Sequence, residues 1–134
     1  MNNGHKDLKA FQLAYKLAME IFHESKSFPK EEVYSLTDQI RRSSRSICAN
    51  LGEGYRKRIY PKHFVSKLSD ADGECTETMI WLNFARDCNY LKKEKHDNLL
   101  QGYEEIGRIL NGMIKDPWKF IPKVSTGDSQ QPLQ

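Results

Sequence analysis

The chain has 134 residues and a mass of 15.6 kDa, enough for one domain with its own core and too few for two ordinary ones. A formal charge of +3, a pI near 8.7 and 29% charged residues exclude a strongly polybasic or polyacidic protein, so any polyanion contact must come from local clustering. No stretch approaches the length and apolarity of a membrane span. The N-terminal apolar residues are interrupted by Lys9, Gln12, Lys16 and Glu20, so no signal sequence is expected.

Four segments carry the period of amphipathic helices and none alternates as a half-buried strand does, which predicts an all-α domain. The first helix is expected from Asp7 to Ser25. Asp7 serves as its cap or first-turn acid, and Leu8, Phe11, Tyr15, Ala18 and Phe22 form its core stripe. Leu13 and Leu17 fall on its outer side. The second helix is expected from Tyr34 to Leu51, with Leu36, Ile40, Ile47 and Leu51 in line and small Ser43 and Ser44 between them. Gly52 and Gly54 are read as its stop, and Pro61 suits the start of the third helix.

The third helix is expected from Lys62 to Asn89, with Phe64, Leu68, Ala71, Cys75, Met79 and Leu82 spaced as a bundle seam. Ile80, Trp81, Phe84 and Cys88 form a second apolar stripe on roughly the opposite side. Asp72 and Arg86 lie near the seam, where an internal ion pair or polar layer is expected. The fourth helix is expected from Lys93 to Ile114, with Leu99, Tyr103, Ile106, Leu110 and Met113 on one face and Asp116-Pro117 as its stop. Gly102, Gly107 and Gly112 each cost roughly 1 kcal/mol there, unless they admit a close neighbour. Residues 1–6 read as a short extension, 7–118 as the bundle, and 119–134 as a tail whose polar run from Val124 is expected to be disordered.

Four amphipathic helices with short connections predict an antiparallel up-down four-helix bundle, for which one apolar face per helix suffices. A second face needs a partner, because each large apolar side chain left in water forgoes roughly 1.5–3 kcal/mol. Leu13, Leu17, Ile80, Trp81, Phe84 and Cys88 are therefore assigned to an interface between copies, giving a homo-oligomer. The alternative is that the third helix is covered all round by its own chain.

The stretch RRSSRSICANLGEGYRKR, residues 41–58, holds six cations and one anion. Arg41, Arg42, Arg45, Arg56, Lys57, Arg58, Lys62 and Lys67 are the candidate contacts to RNA or DNA. Arginines beside Tyr55 and Tyr60 offer phosphate forks and stacking surfaces, without any base-specific signature. An intrahelical pair with Asp38 could occupy Arg42. The competing reading is a solvated helix face.

The run DQIRRSSRSICANLGEGYRKR resembles the signature of the 23S ribosomal RNA intervening-sequence protein family, also called the four-helix-bundle protein family. That signature reads roughly Q-I-R-R-A-x-x-S-I-x-x-N-I-A-E-G, and ECTETMIWLNFARDCNYL resembles the family's third-helix segment. Matching positions include Gln39, Arg42, Ser46, Asn50, Glu53, Gly54, Glu74 and Glu77; Cys48 stands where the family often has proline. The resemblance implies an antiparallel four-helix bundle assembled as a ring-like homopentamer. In a related branch, the accessory proteins of diversity-generating retroelements, it implies a basic barrel that engages nucleic acid and a reverse transcriptase.

No catalytic constellation emerges. Glu20 and His23 make one E-x-x-H, where a di-iron bundle needs two such motifs and two further carboxylates. His5, His23, His63 and His96 lack zinc-ligand spacing, and GEGYRKR lacks the ending of a P-loop. Arg58 and His63 form R-x-x-x-x-H, which resembles the motif of the HEPN ribonucleases and supplies the enzymatic alternative. The three cysteines, Cys48, Cys75 and Cys88, lie far apart with no C-x-x-C pair, so reduced thiols in a cytoplasmic protein are expected. The expected function is thus a non-enzymatic oligomer without metal or cofactor that binds nucleic acid. A protein–protein adaptor is the alternative.

Overall fold

The computed structural model of the chain describes residues 3–122. It contains four long helices: α1 (Lys9–Ser25), α2 (Leu36–Arg56), α3 (Pro61–Asp87) and α4 (Lys93–Lys115). Short 3-10 turns lie at Gly4–Asp7, Lys30–Glu32 and Pro117–Phe120, and no strand occurs among the described residues. Each helix packs on two others around a square, α1 and α3 both touching α2 and α4, with no diagonal contact. At one end Tyr90 joins the connections 26–35 and 88–92: its hydroxyl donates to Glu32 Oε2 (2.8 Å) and its ring lies 5.6 Å from that of Phe28.

The core is where the heptad-like spacings of α2, α3 and α4 place it. Leu36, Ile40, Ile47 and Leu51 of α2 are buried, as are Phe64, Leu68, Ala71, Cys75 and Leu82 of α3 and Leu99, Tyr103, Ile106, Leu110 and Met113 of α4. Ser43 and Ser44 let α2 approach α3 closely, and the Thr78 hydroxyl donates to Ser43 Oγ (2.8 Å), so the buried polar atoms there are paired. Pro61 occupies the first turn of α3, where its missing N–H costs nothing. Asn89, at φ 63°, takes the left-handed position just beyond α3.

Several expectations are corrected. The buried face of α1 is Ala10, Ala14, Leu17, Ala18 and Ile21, whereas Tyr15 is 56% exposed. Leu17, assigned above to an intersubunit surface, is a core residue: a Cβ at Gly102 would lie 2.6 Å from its Cδ1, so α4 needs a glycine to pass it. Leu13 is half-buried against the same core. Gly52 and Gly54 do not stop α2, which runs to Arg56. Gly54 instead faces α3, where a Cβ would stand 3.0 Å from Lys67 Cβ. Asp7 belongs to the 3-10 turn before α1, its carboxylate accepting the Asn3 N–H (2.9 Å).

Arg86 turns outward to Asp87 (2.8 Å), so it makes no internal ion pair. The buried polar group at this level is His96, hydrogen-bonded through Nδ1 to Asp97 Oδ1 and through Nε2 to Asn83 Oδ1, each 2.8 Å. Past residue 118 the chain still packs: Phe120 meets Phe64 with ring centroids 6.2 Å apart, and Ile121 is buried. The polar run from Val124 lies outside the described residues.

Candidate nucleic-acid interface

The basic stretch divides by the direction in which α2 points each side chain. Arg42 faces α3, where its guanidinium bonds Glu74 (3.2 Å) and Glu77 and its Nε donates to Gln39 Oε1 (3.3 Å). The partner expected from spacing, Asp38, is not the one it takes. At the next turns Ser46 and Asn50 continue the same seam, the Asn50 amide donating to the Ser46 carbonyl (3.0 Å). Glu74 is held below the usual carboxylate range: its burial alone would raise it, but hydrogen bonds with Ser46, Glu77 and Arg42 outweigh that. Lys67 is likewise taken, by Glu53 at 2.7 Å. Arg42 and Lys67 therefore serve to join α2 to α3, and their charge is already balanced.

The other six candidates have no ion-pair partner among the described residues. Arg41 and Arg45 lean toward α1, with guanidinium carbons 5.0 and 5.8 Å from the Phe22 ring centre, and Arg41 Nε donates to Ser25 Oγ (2.8 Å). They border an open groove of about 570 Å³ that also includes Val33, Thr37 and Asp38. Arg56, Lys57, Arg58 and Lys62 gather instead at the α2–α3 turn. Arg58 lies over the Tyr55 ring (3.7 Å) and donates to the Tyr55 carbonyl (3.1 Å), which fixes its direction. Arg56, Lys57 and Lys62 are exposed. His63 packs edge-on to Tyr60 (6.0 Å), so neither its contact nor those of Arg58 brings the two together.

Of the residues assigned to an interface between copies, Ile80, Phe84 and Cys88 of α3 lie at the surface of the chain, whereas Trp81 packs against the core. Ile80 and Phe84 are 46% and 53% exposed, and Cys88 is exposed. Trp81 is half-buried, its indole N–H donating to Glu77 Oε1 (3.3 Å). Among the described residues, none covers α3 fully on this side. An apolar outer face on α1, made by Tyr15 and Met19 with half-buried Phe22 beside them, escaped the sequence reading because Tyr15 and Phe22 had been given to the core; Phe11 is half-buried and does pack against the core. Glu20 of the lone E-x-x-H reaches Lys95 (3.4 Å) while His23 sits against Phe22. No cluster of three or more potential metal ligands occurs among the described residues, and no helix there is long and apolar enough to cross a membrane.

The profile of the 23S rRNA-intervening sequence proteins matches residues 6–112. The chain belongs to this family. It is also similar to a crystal structure from Bacteroides thetaiotaomicron VPI-5482, described as a protein with unknown function from the S23 ribosomal protein family. That similarity has 27% identity and a TM-score of 0.71, and it covers 79% of this chain and 95% of the other. No curated protein matches the chain. Of the residues that carry the family resemblance, Gln39, Arg42, Ser46, Asn50, Glu74 and Glu77 fall together on the α2–α3 seam.

Proposed function

We propose that the protein is a non-enzymatic, cytoplasmic subunit, an antiparallel up-down four-helix bundle that self-assembles and holds RNA or DNA by its phosphates at the α2–α3 turn. The observation that carries the nucleic-acid part is the contrast within the basic stretch. Arg42 and Lys67 are matched by carboxylates at ion-pair distance, while Arg56, Lys57, Arg58 and Lys62 gather beside the Tyr55 ring without one that close, Lys57 feeling Glu53 only from farther off. Guanidinium forks and a stacked tyrosine suit a flexible phosphate backbone with unstacked bases. The ring of five belongs to this proposal as the family resemblance implies it.

The test is fluorescence anisotropy with a labelled single-stranded RNA at low salt. If four phosphates are neutralised, log K should fall with log salt with a slope of about −3. Arg56→Glu, Arg58→Glu and Lys62→Glu together should abolish binding, whereas Lys67→Glu should change it far less. Absence of binding at low salt, or binding that survives the triple reversal, would reject the reading. The adaptor reading is favoured by the apolar α3 surface at Ile80 and Phe84, a foothold for another polypeptide such as a reverse transcriptase. Nuclease-resistant capture of such a partner would select it.

A further inference from the structure

We propose that the nucleic acid held at the α2–α3 turn is single-stranded, and that two exposed aromatic side chains at that end of the bundle, Tyr60 and Trp118, stack against its unpaired bases. This rests on the reading of the turn as a phosphate site and adds which kind of strand it takes and how far the site extends. Three segments distant in sequence meet at this end. The 3-10 turn Gly4–Asp7 packs on the last turns of α2, with His5 beside Gly52. The 3-10 turn Pro117–Phe120 packs on the start of α3, with 6.2 Å between the ring centres of Phe120 and Phe64. The α2–α3 turn joins the two helix ends that these segments cover.

Positive charge gathers at this end. Beyond the cations of the turn, Lys6 and Lys9 come with the first segment and Lys115 with the end of α4, none with an ion-pair partner among the described residues. The carboxylates here are taken: Asp7 by the Asn3 N–H, Glu53 by Lys67, and Asp116 by Lys119 at 3.7 Å. The opposite end mixes its signs, with Glu31, Glu32, Asp87 and Glu94 among Lys30, Lys92 and Lys93. Helix stability does not account for the pattern. The first turns of α1 and α3 hold no acid and carry Lys9 and Lys62, where the helix dipole disfavours cations. A polyanion laid across the end offsets that penalty.

The aromatic side chains decide between duplex and single strand. Tyr60 is 43% and Trp118 40% exposed, so neither is spent on the core. Both are nevertheless held in place. Tyr60 precedes α3, its N–H donating to the Lys57 carbonyl (2.8 Å) and its own carbonyl accepting the Phe64 N–H (2.9 Å). Buried Pro117 and Ile121 anchor the backbone on either side of Trp118. Each lies within about one turn of the touching pair Phe64 and Phe120, so both belong to one surface. Bases stacked within a duplex have no use for such rings, and the blunt end of a bundle projects no helix or ribbon into a groove. Unpaired bases stack on aromatic faces whatever their sequence, while their phosphates follow the cations.

The test compares a labelled oligouridine with a blunt RNA duplex of the same length by fluorescence anisotropy at low salt, with phosphatidylserine vesicles as competitor. The oligouridine should bind roughly tenfold more tightly than the duplex, and the vesicles should not displace it. Tyr60→Ala and Trp118→Ala should each weaken oligouridine binding roughly tenfold without changing the salt slope, whereas Arg56→Glu should make the slope shallower. Tyr60→Phe and Trp118→Phe should keep most of the affinity, and circular dichroism checks that each variant folds. In a Trp81→Phe background Trp118 is the sole indole, and unlabelled oligouridine should quench its fluorescence, a readout that needs no alanine variant. Equal affinity for the duplex, alanine variants that bind as the wild type does, an unquenched indole, or displacement of RNA by the vesicles would overturn this inference and leave phosphate binding at the turn standing. Failure of both RNAs to bind at low salt would sink the reading it rests on.

Discussion

Gly102 and Gly112 occupy the same helix and face opposite fates on substitution. A Cβ at Gly102 would meet three atoms of the buried Leu17 side chain, the nearest at 2.6 Å, whereas at Gly112 it would meet nothing within 4 Å. Gly102→Ala should therefore destabilise the fold by about 1–3 kcal/mol through overpacking. Gly112→Ala should stabilise it by up to about 1 kcal/mol, because only the backbone entropy changes. Urea unfolding of both variants checks the pair. The thiols separate in the same way. Burial pushes Cys75 up to about 12 and Cys48 up to about 11, so neither forms appreciable thiolate at neutral pH. Both should react with a thiol reagent only after unfolding, as a time course in the absence and presence of denaturant would record. This was legible only in part: the spacing put Cys75 in the α3 seam and left open a close neighbour at Gly102, but a glycine in a helical pattern does not say whether a neighbour presses on it, and Gly54 proved to be a close approach where a stop was read.

At the scale of the elements, α2, α3 and α4 could be read because their large aliphatic residues mark one face each. α1 could not. Its buried face is largely alanine while Tyr15 points outward, so ranking side chains by apolarity selects the wrong side. The α2–α3 seam was not legible: Arg42 was assigned to nucleic acid or to Asp38, because sequence spacing shows only neighbours within its own helix, and its partners Glu74 and Glu77 lie on another. Loss of this link has a defined pH dependence. The folded-state Glu74 carboxyl titrates below its ordinary 4.5, so its contribution is present above that value and is lost as pH falls through the lower, folded one. Arg42→Ala should cost on the order of 1 kcal/mol or less at pH 7, since the pair is partly exposed. That difference should shrink in unfolding curves taken at progressively lower pH.

For the whole molecule the decisive feature is that the chain spends its small and aliphatic faces on its own core and leaves two further apolar faces outside, on α1 and α3. The α3 face was legible because its residues repeat opposite a complete seam. The site was legible only as a basic stretch, since which cations are neutralised depends on carboxylates far away in sequence, such as Glu74 for Arg42. Exposed apolar surface of this kind on two diagonal helices is expected to be covered by second copies, at a gain of roughly 1.5–3 kcal/mol for each large side chain withdrawn from water. The most direct measurement is the mass of the dilute, nucleic-acid-free wild-type protein by light scattering. A single species several times 15.6 kDa is expected, and a particle of 15.6 kDa at every concentration would contradict it.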